Sequence, residues 1–452
     1  MKIIIAGDGK VGLALTRQLA HEGHELVVID SNQRVLEQSL HKCDVMTVQG
    51  NCATMSTLRN AKVEDAELLI AATSADEINL LCCLTARNMN PLLHTIARVR
   101  SPEYLEQIFS MQENFGLSLT INPERAAAQE ILRLLQFPGF LKRETFGKGR
   151  VEIVELRVQA DGLLENVELS RLTQVLGCKV LVCAVVRGDH AFIPSGNDML
   201  KKDDHIYVTA PTDVLSRLIK KLGIITKKTR HVTIIGGGRV SFYLAQNLLL
   251  AGVQVKIMEL DSDKCMKLAK LLPEAAIICA DGSSQEVLES EGLAQTDALV
   301  TLTGLDELNV IMSMYGSARG VPQVVTKVNR MESVGMLKNL DIGSIISPKE
   351  LCSTQIVQYV RAMQNQTGAA IAMHHIADGQ AEALEFRVDK ETLFAGKPLK
   401  DIHLKKNVLI SCITHGGYTV IPDGNSKFRN GDTVIVVTGR ETPILSLNDI
   451  FE

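Results

Sequence analysis

Short runs of β-branched and other apolar residues alternate, over the first 140 positions, with stretches in which apolar residues recur every three or four places. The runs lie near residues 2–6, 25–30, 45–48, 67–72, 94–99 and 118–121. Uninterrupted apolar runs of this length predict strands buried on both faces, and the intervening pattern predicts helices. Parallel strands need crossover helices, and right-handed crossovers place those helices on alternate faces of the sheet. The alternation therefore predicts a doubly wound α/β sheet. A further amphipathic helix follows Pro123, with Ala127, Ile131, Leu134 and Leu135 on one stripe, and ends at Phe137-Pro138-Gly139.

The period changes near residue 151. Val151-Glu152-Ile153-Val154-Glu155-Leu156-Arg157-Val158 alternates every second residue, Ala184-Val185-Val186-Arg187 continues the strand character, and Ile193-Pro194-Ser195-Gly196 and Lys202-Asp203-Asp204 supply turns. This pattern predicts a small β-rich lobe.

Both patterns occur twice. Gly7-Asp8-Gly9-Lys10-Val11-Gly12 follows the run Lys2–Ala6, and Gly236-Gly237-Gly238-Arg239-Val240-Ser241 follows Val232–Ile235, 229 positions later. Asp30 and Glu259 end the next apolar run in each copy, again 229 apart. Ala72-Thr73-Ser74-Ala75-Asp76-Glu77-Ile78-Asn79 pairs with Leu302-Thr303-Gly304-Leu305-Asp306-Glu307-Leu308-Asn309, Gln49-Gly50-Asn51 with Cys279-Ala280-Asp281, and Ile96–Arg100 with Val325–Asn329. In the small lobe, Ile193-Pro194-Ser195-Gly196 returns as Ile421-Pro422-Asp423-Gly424. The expected organisation is a first nucleotide lobe at 1–140, a small lobe at 141–219, a basic linker at 220–230, a second nucleotide lobe at 231–368 and a second small lobe at 369–452.

A Gly-x-Gly-x-x-Gly turn between strand and helix binds phosphate through the free amides of the helix N-terminus. Its first glycine makes the turn, the second admits the phosphate, and the third allows the helix to pack closely. In both copies an acid stands 18 residues beyond the third motif position, the spacing for gripping ribose hydroxyls. Asp30 and Glu259 would repel a 2′-phosphate, so NAD or an adenine nucleotide is favoured over NADP. Lys10 and Arg239 stand where a cation reaches a di- or triphosphate. Two positions depart from the pattern: Ser241 replaces the third glycine of the second copy, and Asp8 brings a carboxylate near the phosphate unless it points away or pairs with Lys10. Arg98 and Arg100 follow the fifth strand, with Lys327 and Arg330 in the second copy, as candidate phosphate contacts.

Composition narrows the classes further. The 452 residues are 46% hydrophobic with a net charge of −4, and no run approaches the roughly 18 apolar residues of a bilayer crossing. The N-terminus reads as a buried strand without a signal-peptide pattern, so a cytoplasmic location is expected. The charge offers no case for nucleic acid; the local exception is Lys220, Lys221, Lys227, Lys228 and Arg230 at the junction. Ten cysteines and eleven histidines show no metal-ligand spacing, and the thiols are expected to be reduced core residues. No metal site and no catalytic residue is expected.

The paired motifs Val48-Gln49-Gly50, Ala72–Asn79 and Ile96-Ala97-Arg98-Val99-Arg100-Ser101-Pro102-Glu103-Tyr104, with the tandem organisation, resemble the RCK (KTN) domains that regulate potassium channels and transporters. The resemblance implies two tandem Rossmann-like doubly wound parallel sheets, each followed by a small β-rich α+β lobe. It also implies a regulatory subunit that assembles as a homo-oligomer, a tetramer, peripherally at the cytoplasmic face of the bacterial inner membrane. Its partner would be a membrane-embedded Trk-type potassium channel or transporter subunit. NAD(H) and ATP or ADP would bind at Gly7, Gly9, Gly12, Asp30, Asn51 and Thr73, with Arg98 near phosphate, and at Gly236, Gly238, Arg239, Glu259, Asp281 and Thr303. Asp8, Lys10, Val11 and Val240 complete the two glycine turns.

The alternative is an NAD-dependent dehydrogenase, because the same turn serves hydride transfer. It lacks a repeated acid–base cluster: His190 and His205 have no counterparts in His403 and His415. A nucleotide-sensing transcription regulator would need a DNA-reading element, for which no segment has room.

Overall fold

The computed structural model describes residues 1–111, 115–136, 142–146, 151–222, 229–329, 340, 342–364, 370–416, 418–439, 444 and 446–452. Arg330, Lys227, Lys228 and the Phe137-Pro138-Gly139 stop lie outside the described residues.

The first six strands are β1 (Lys2–Ala6), β2 (Glu25–Asp30), β3 (Met46–Gln49), β4 (Leu68–Ala71), β5 (His94–Arg98) and β6 (Leu119–Ile121). They form one parallel sheet in the order β3-β2-β1-β4-β5-β6. The order reverses between β1 and β4, so two glycine-rich and threonine-bearing loops meet at one switch point, where α/β sheets bind ligands. Ile3, Ile4 and Ile5 of β1 are fully buried, as helices on both faces require. The helices used below are α1 (Lys10–His21), α2 (Gln33–Lys42), α3 (Met55–Asn60) and α4 (Asp76–Met89).

The first small lobe holds β7 (Lys142–Phe146), β8 (Val151–Arg157), β9 (Leu181–Arg187), β10 (His190–Phe192) and β11 (His205–Pro211), in the order β10-β9-β11-β8-β7. The second copy repeats both sheets. Its strands β12 (His231–Ile235), β13 (Gln254–Glu259), β14 (Ala276–Cys279), β15 (Ala298–Thr301), β16 (Gln323–Lys327) and β17 (Ser344–Ile346) run β14-β13-β12-β15-β16-β17. Then β18 (Ala370–Ile376), β19 (Ala381–Arg387), β20 (Val408–His415), β21 (Tyr418–Val420) and β22 (Thr433–Gly439) run β18-β19-β22-β20-β21.

Like lobes associate. One compact unit comprises Met1–Leu132 with Arg230–Val357, and the other Arg133–Thr229 with Gln358–Glu452. The first unit therefore contains both nucleotide lobes and the second both small lobes. Within the second unit the two small sheets share a core in which Val151, Ile153, Cys183 and Tyr207 pack with Ile376, Ala383, Cys412 and Ile435. Burial pushes the Cys412 thiol up to about 12 and Cys183 higher still, as expected of inert core thiols.

The small lobes also repeat a side-chain contact to aspartate that the histidines alone conceal. Arg187 pairs with Asp204 at 2.7 Å, and 228 positions later His415 pairs with Asp432 at 2.8 Å. Each aspartate accepts the amide of a turn residue, Lys201 or Arg429, so the counterpart of His415 is an arginine.

Candidate functional site: two nucleotide crevices

In the first copy the chain leaves β1 through Gly7, whose φ is +93°. A Cβ there would lie 2.7 Å from the Thr73 amide nitrogen, so only glycine lets the turn pass the end of β4. A Cβ on Gly12 would lie 2.0 Å from the Gly7 carbonyl oxygen, which fixes α1 against the turn. Gly9 differs from both. It caps α1 without a side-chain hydrogen bond, and a Cβ there would meet nothing within 4 Å. The first-turn amides of α1 therefore face open space, an anion site by geometry and dipole. Lys10 is exposed beside them, while Val11 buries its side chain and offers only its amide.

Asp8 points away from that space. Its carboxylate accepts hydrogen bonds from Thr16 of α1, at 3.4 Å, and from Ser39 of α2, and the residue is 2% exposed. Burial raises its pKa; the two hydroxyls oppose the rise, and the nearby Asp30 charge adds to it. Asp8 thus braces the two helices, without an ion pair to Lys10.

Asp30 closes the other side. Its Oδ2 accepts the Asp8 amide and its Oδ1 the Asn32 amide, each at 2.8 Å. Each carboxylate oxygen keeps a second lone pair for a ribose hydroxyl. Asn51, at the end of β3, is exposed and accepts the Ala53 amide on its side chain, forming a turn before α3. Thr73 is held at the end of β4 by Asn79 of α4, whose Oδ1 accepts both the Thr73 amide at 2.8 Å and the Thr73 hydroxyl at 2.7 Å. Asn79 Nδ2 donates to the Arg98 carbonyl at 2.9 Å. A fully buried asparagine therefore ties together the ends of β4 and β5 that border the crevice. Arg98 is half-buried, and its Nε lacks a hydrogen-bond partner. Burial lowers its pKa against the opposing pull of Glu124.

The second copy reproduces this arrangement with several side chains exchanged. Gly236 has φ +99°, and a Cβ there would lie 3.0 Å from Leu302 and Thr303 backbone atoms. Gly238 caps the helix Arg239–Leu250 with open space before it; Arg239 is exposed and Val240 buried. Glu259 accepts the Gly237 amide at 2.7 Å and the Asp261 amide at 3.0 Å, as Asp30 does in its own copy. Ser241 solves the missing glycine: fully buried, it donates its hydroxyl to the Gly236 carbonyl, whose counterpart in the first copy, the Gly7 carbonyl, is the one a Cβ on Gly12 would strike. Asp281 accepts both the amide and the hydroxyl of Ser283, which lower its pKa. Thr303 is held by Asn309, which also reaches the Lys327 carbonyl at 3.0 Å.

Asp76 and Asp306 serve the same frame. Asp76 accepts the Arg100 and Ser101 amides at 2.8 Å each, and Asp306 accepts the Asn329 amide at 2.9 Å. Asp76 and Asp306 begin their helices and anchor the backbone beyond the fifth strand of each sheet. Their signal was the repeated Asp-Glu-x-Asn, in which the asparagine proves to be the buried tie. Among the described residues, no group of three or more His, Cys, Asp or Glu side chains could hold a metal ion.

The TrkA-N domain matches residues 3–123 and 232–348, and the TrkA-C domain matches 153–223 and 383–450. The chain is also 30% identical over 436 residues to the Trk system potassium uptake protein TrkA homolog of Archaeoglobus fulgidus, spanning 96% of this chain and 97% of that one. The chain belongs to the TrkA family. Two solved structures share its fold. The GsuK channel bound to NAD is 17% identical with a TM-score of 0.60, over 97% of this chain and 77% of that chain. GsuK bound to ADP is 15% identical with a TM-score of 0.51, over 80% and 70%. The repeated TrkA-N segments are the two crevice-bearing lobes, and the TrkA-C segments are the two small lobes.

Proposed function

We propose that this chain is a non-catalytic, nucleotide-binding regulatory subunit of a potassium transport system. One observation carries the reading. Each nucleotide lobe sets an uncapped helix N-terminus behind an unobstructed glycine, Gly9 or Gly238, beside a carboxylate held by backbone amides, Asp30 or Glu259. Phosphates would lie on the two helix starts within reach of Lys10 and Arg239, and ribose hydroxyls on the carboxylates. Asn51 and Thr73, or Asp281 and Thr303, would border the remainder of the ligand, with Arg98 near the first phosphate site. NAD(H) and ATP or ADP are the ligands that this geometry and the NAD- and ADP-bound GsuK structures favour.

No helix among the described residues is long and apolar enough to cross a membrane, so the ion pathway would belong to a membrane-embedded Trk-type partner, with this chain at its cytoplasmic face. Assembly as a homo-oligomer, a tetramer, is supported by Leu81 and Leu84 on α4. These apolar residues are exposed, as are Ile311 and Met314 at the equivalent places on the helix Asp306–Ala318. A second copy would cover them. Nucleotides would act by binding two assembly conformations with different affinities. We retain the five-segment division at 140, 219, 230 and 368 as the proposed modular organisation.

The test has two arms. Titration calorimetry should find two NADH or ADP molecules per chain. Potassium uptake by cells lacking this chain and their other uptake systems should return with the wild type but not with a folded Gly9→Asp, Gly238→Asp double variant. Uptake restored equally by both would sink the proposal.

A further inference from the structure

The second crevice contains a chemical group that nucleotide recognition does not use. Cys279 ends β14, the edge strand of its sheet, and pairs in register with Glu259. Cys265, on the helix Ser262–Leu271, donates its thiol to the Glu259 carbonyl at 3.3 Å, so both cysteines adjoin the same residue. Cys279 is exposed, whereas Cys265 is 7% exposed. One accessible and one sheltered thiol therefore meet at the carboxylate proposed to hold ribose. In the first lobe Cys52 and Cys82 are also electrostatically coupled, but both are buried.

We infer that Cys265 and Cys279 are a reversible disulfide-forming pair that responds to hydroperoxides and closes the second crevice to nucleotide. The closure rests on the nucleotide reading above; the bridge does not.

The sequence of bonds follows from access. The Cys279 sulfur attacks the terminal peroxide oxygen, forming S–O and breaking O–O, so that one alcohol leaves. Cys265 then attacks the Cys279 sulfur, forming S–S and breaking S–O, so that water leaves. Two thiols are oxidised as one hydroperoxide is reduced to alcohol and water, and a dithiol reductant reverses the change.

Two features assign the roles of the two thiols and the effect of the bridge. Burial, then interaction with the Cys279 side chain, and then the charges of Cys279, Glu259 and Asp261, push the Cys265 thiol up to about 11. Cys265 is therefore the sheltered, resolving thiol, and the exposed Cys279 is the one that meets oxidant. The bridge also removes the thiol hydrogen that Cys265 gives to the Glu259 carbonyl and ties the helix to the end of an edge strand. That strain falls on the residue whose carboxylate holds the Gly237 amide, at the mouth of the glycine turn.

The experiment treats the full chain with hydrogen peroxide, alkylates the remaining thiols and maps peptides without reduction. A Cys265–Cys279 linked peptide that dithiothreitol removes is expected. NADH binding, measured on the same samples, should fall from two per chain to one, and stay at two in a peroxide-treated Cys279→Ser variant. A missing Cys265–Cys279 peptide overturns the site, including the case in which Cys52 and Cys82 link instead. A formed bridge with NADH binding unchanged overturns the closure. If the reduced chain binds no nucleotide, the nucleotide reading fails, and the peptide map still decides the thiol pair.

Discussion

The Tyr243 hydroxyl of the second nucleotide lobe donates to the Arg100 carbonyl of the first at 3.1 Å. The same hydroxyl accepts the Asn122 side-chain amide at 3.2 Å. Tyr243 lies on the helix that begins at Arg239, and Arg100 follows β5, so each end of the bond belongs to an element bordering a crevice. The relationship is one-sided. The positions equivalent to Tyr243 and Asn122 are Ala14 and Ser347, and the Ser347 hydroxyl is buried with no hydrogen-bond partner.

Tyr243→Phe should therefore weaken the association of the two nucleotide lobes. The Arg100 carbonyl and the Asn122 amide each lose one hydrogen bond but keep the 3.3 Å bond between them, so the cost is about 0.5–1.5 kcal/mol. A lowered denaturation midpoint measures it; an unchanged midpoint would mean that the bond carries no stability.

The glycines separate fold from binding. A Cβ at Gly9 meets no protein atom within 4 Å, and Gly9→Asp places a negative charge in the anion site, so nucleotide affinity in the first crevice should fall at least tenfold, about 1.4 kcal/mol, without a loss of thermal stability. Gly12→Ala would drive its Cβ into the Gly7 carbonyl and should unfold the lobe at a lower temperature. Calorimetric titration and melting curves on both variants distinguish the roles.

Asp8 predicts a pH dependence. Burial raises its folded-state pKa above the ordinary 3.8, so the folded protein binds the proton more tightly than the unfolded chain. Between those two pKa values stability falls as pH rises, and above the folded value the deficit is constant. Asp8→Asn removes this titration. The wild-type minus Asp8→Asn stability difference should become more negative from pH 4 upward and then level; a flat difference would contradict the raised pKa.

Asn79→Ala should cost more than an ordinary polar substitution. It frees the Thr73 amide and the Arg98 carbonyl at once, about 1–3 kcal/mol for each group left buried without a partner, while the Thr73 hydroxyl keeps the Ala75 carbonyl at 3.2 Å. Hydrogen exchange localised to the ends of β4 and β5 would show the loss. Asn309→Ala should do the same around Thr303.

Assembly is tested on the outer faces. A Leu81→Asp, Ile311→Asp variant should sediment as a smaller species than the wild type, since neither residue supports the chain's own core. Leu134, by contrast, is 3% exposed within the single chain, so changing it tests folding before assembly.

The strand–glycine turn–helix units, the acids 18 residues beyond them, the order of lobes and the presence of two copies were all legible in the sequence. Each rests on local periodicity or on a spacing along one chain, and duplication let one copy check the other. Tertiary structure alone decided where Asp8 points, because Thr16 and Ser39 reach it from two different helices. It also decided how Ser241 fits, through a carbonyl that only a folded turn brings beneath it. The pairing of nucleotide lobe with nucleotide lobe and small lobe with small lobe could not be read from their alternation along the chain. Burial of matching apolar faces acts through space, between residues well over a hundred positions apart.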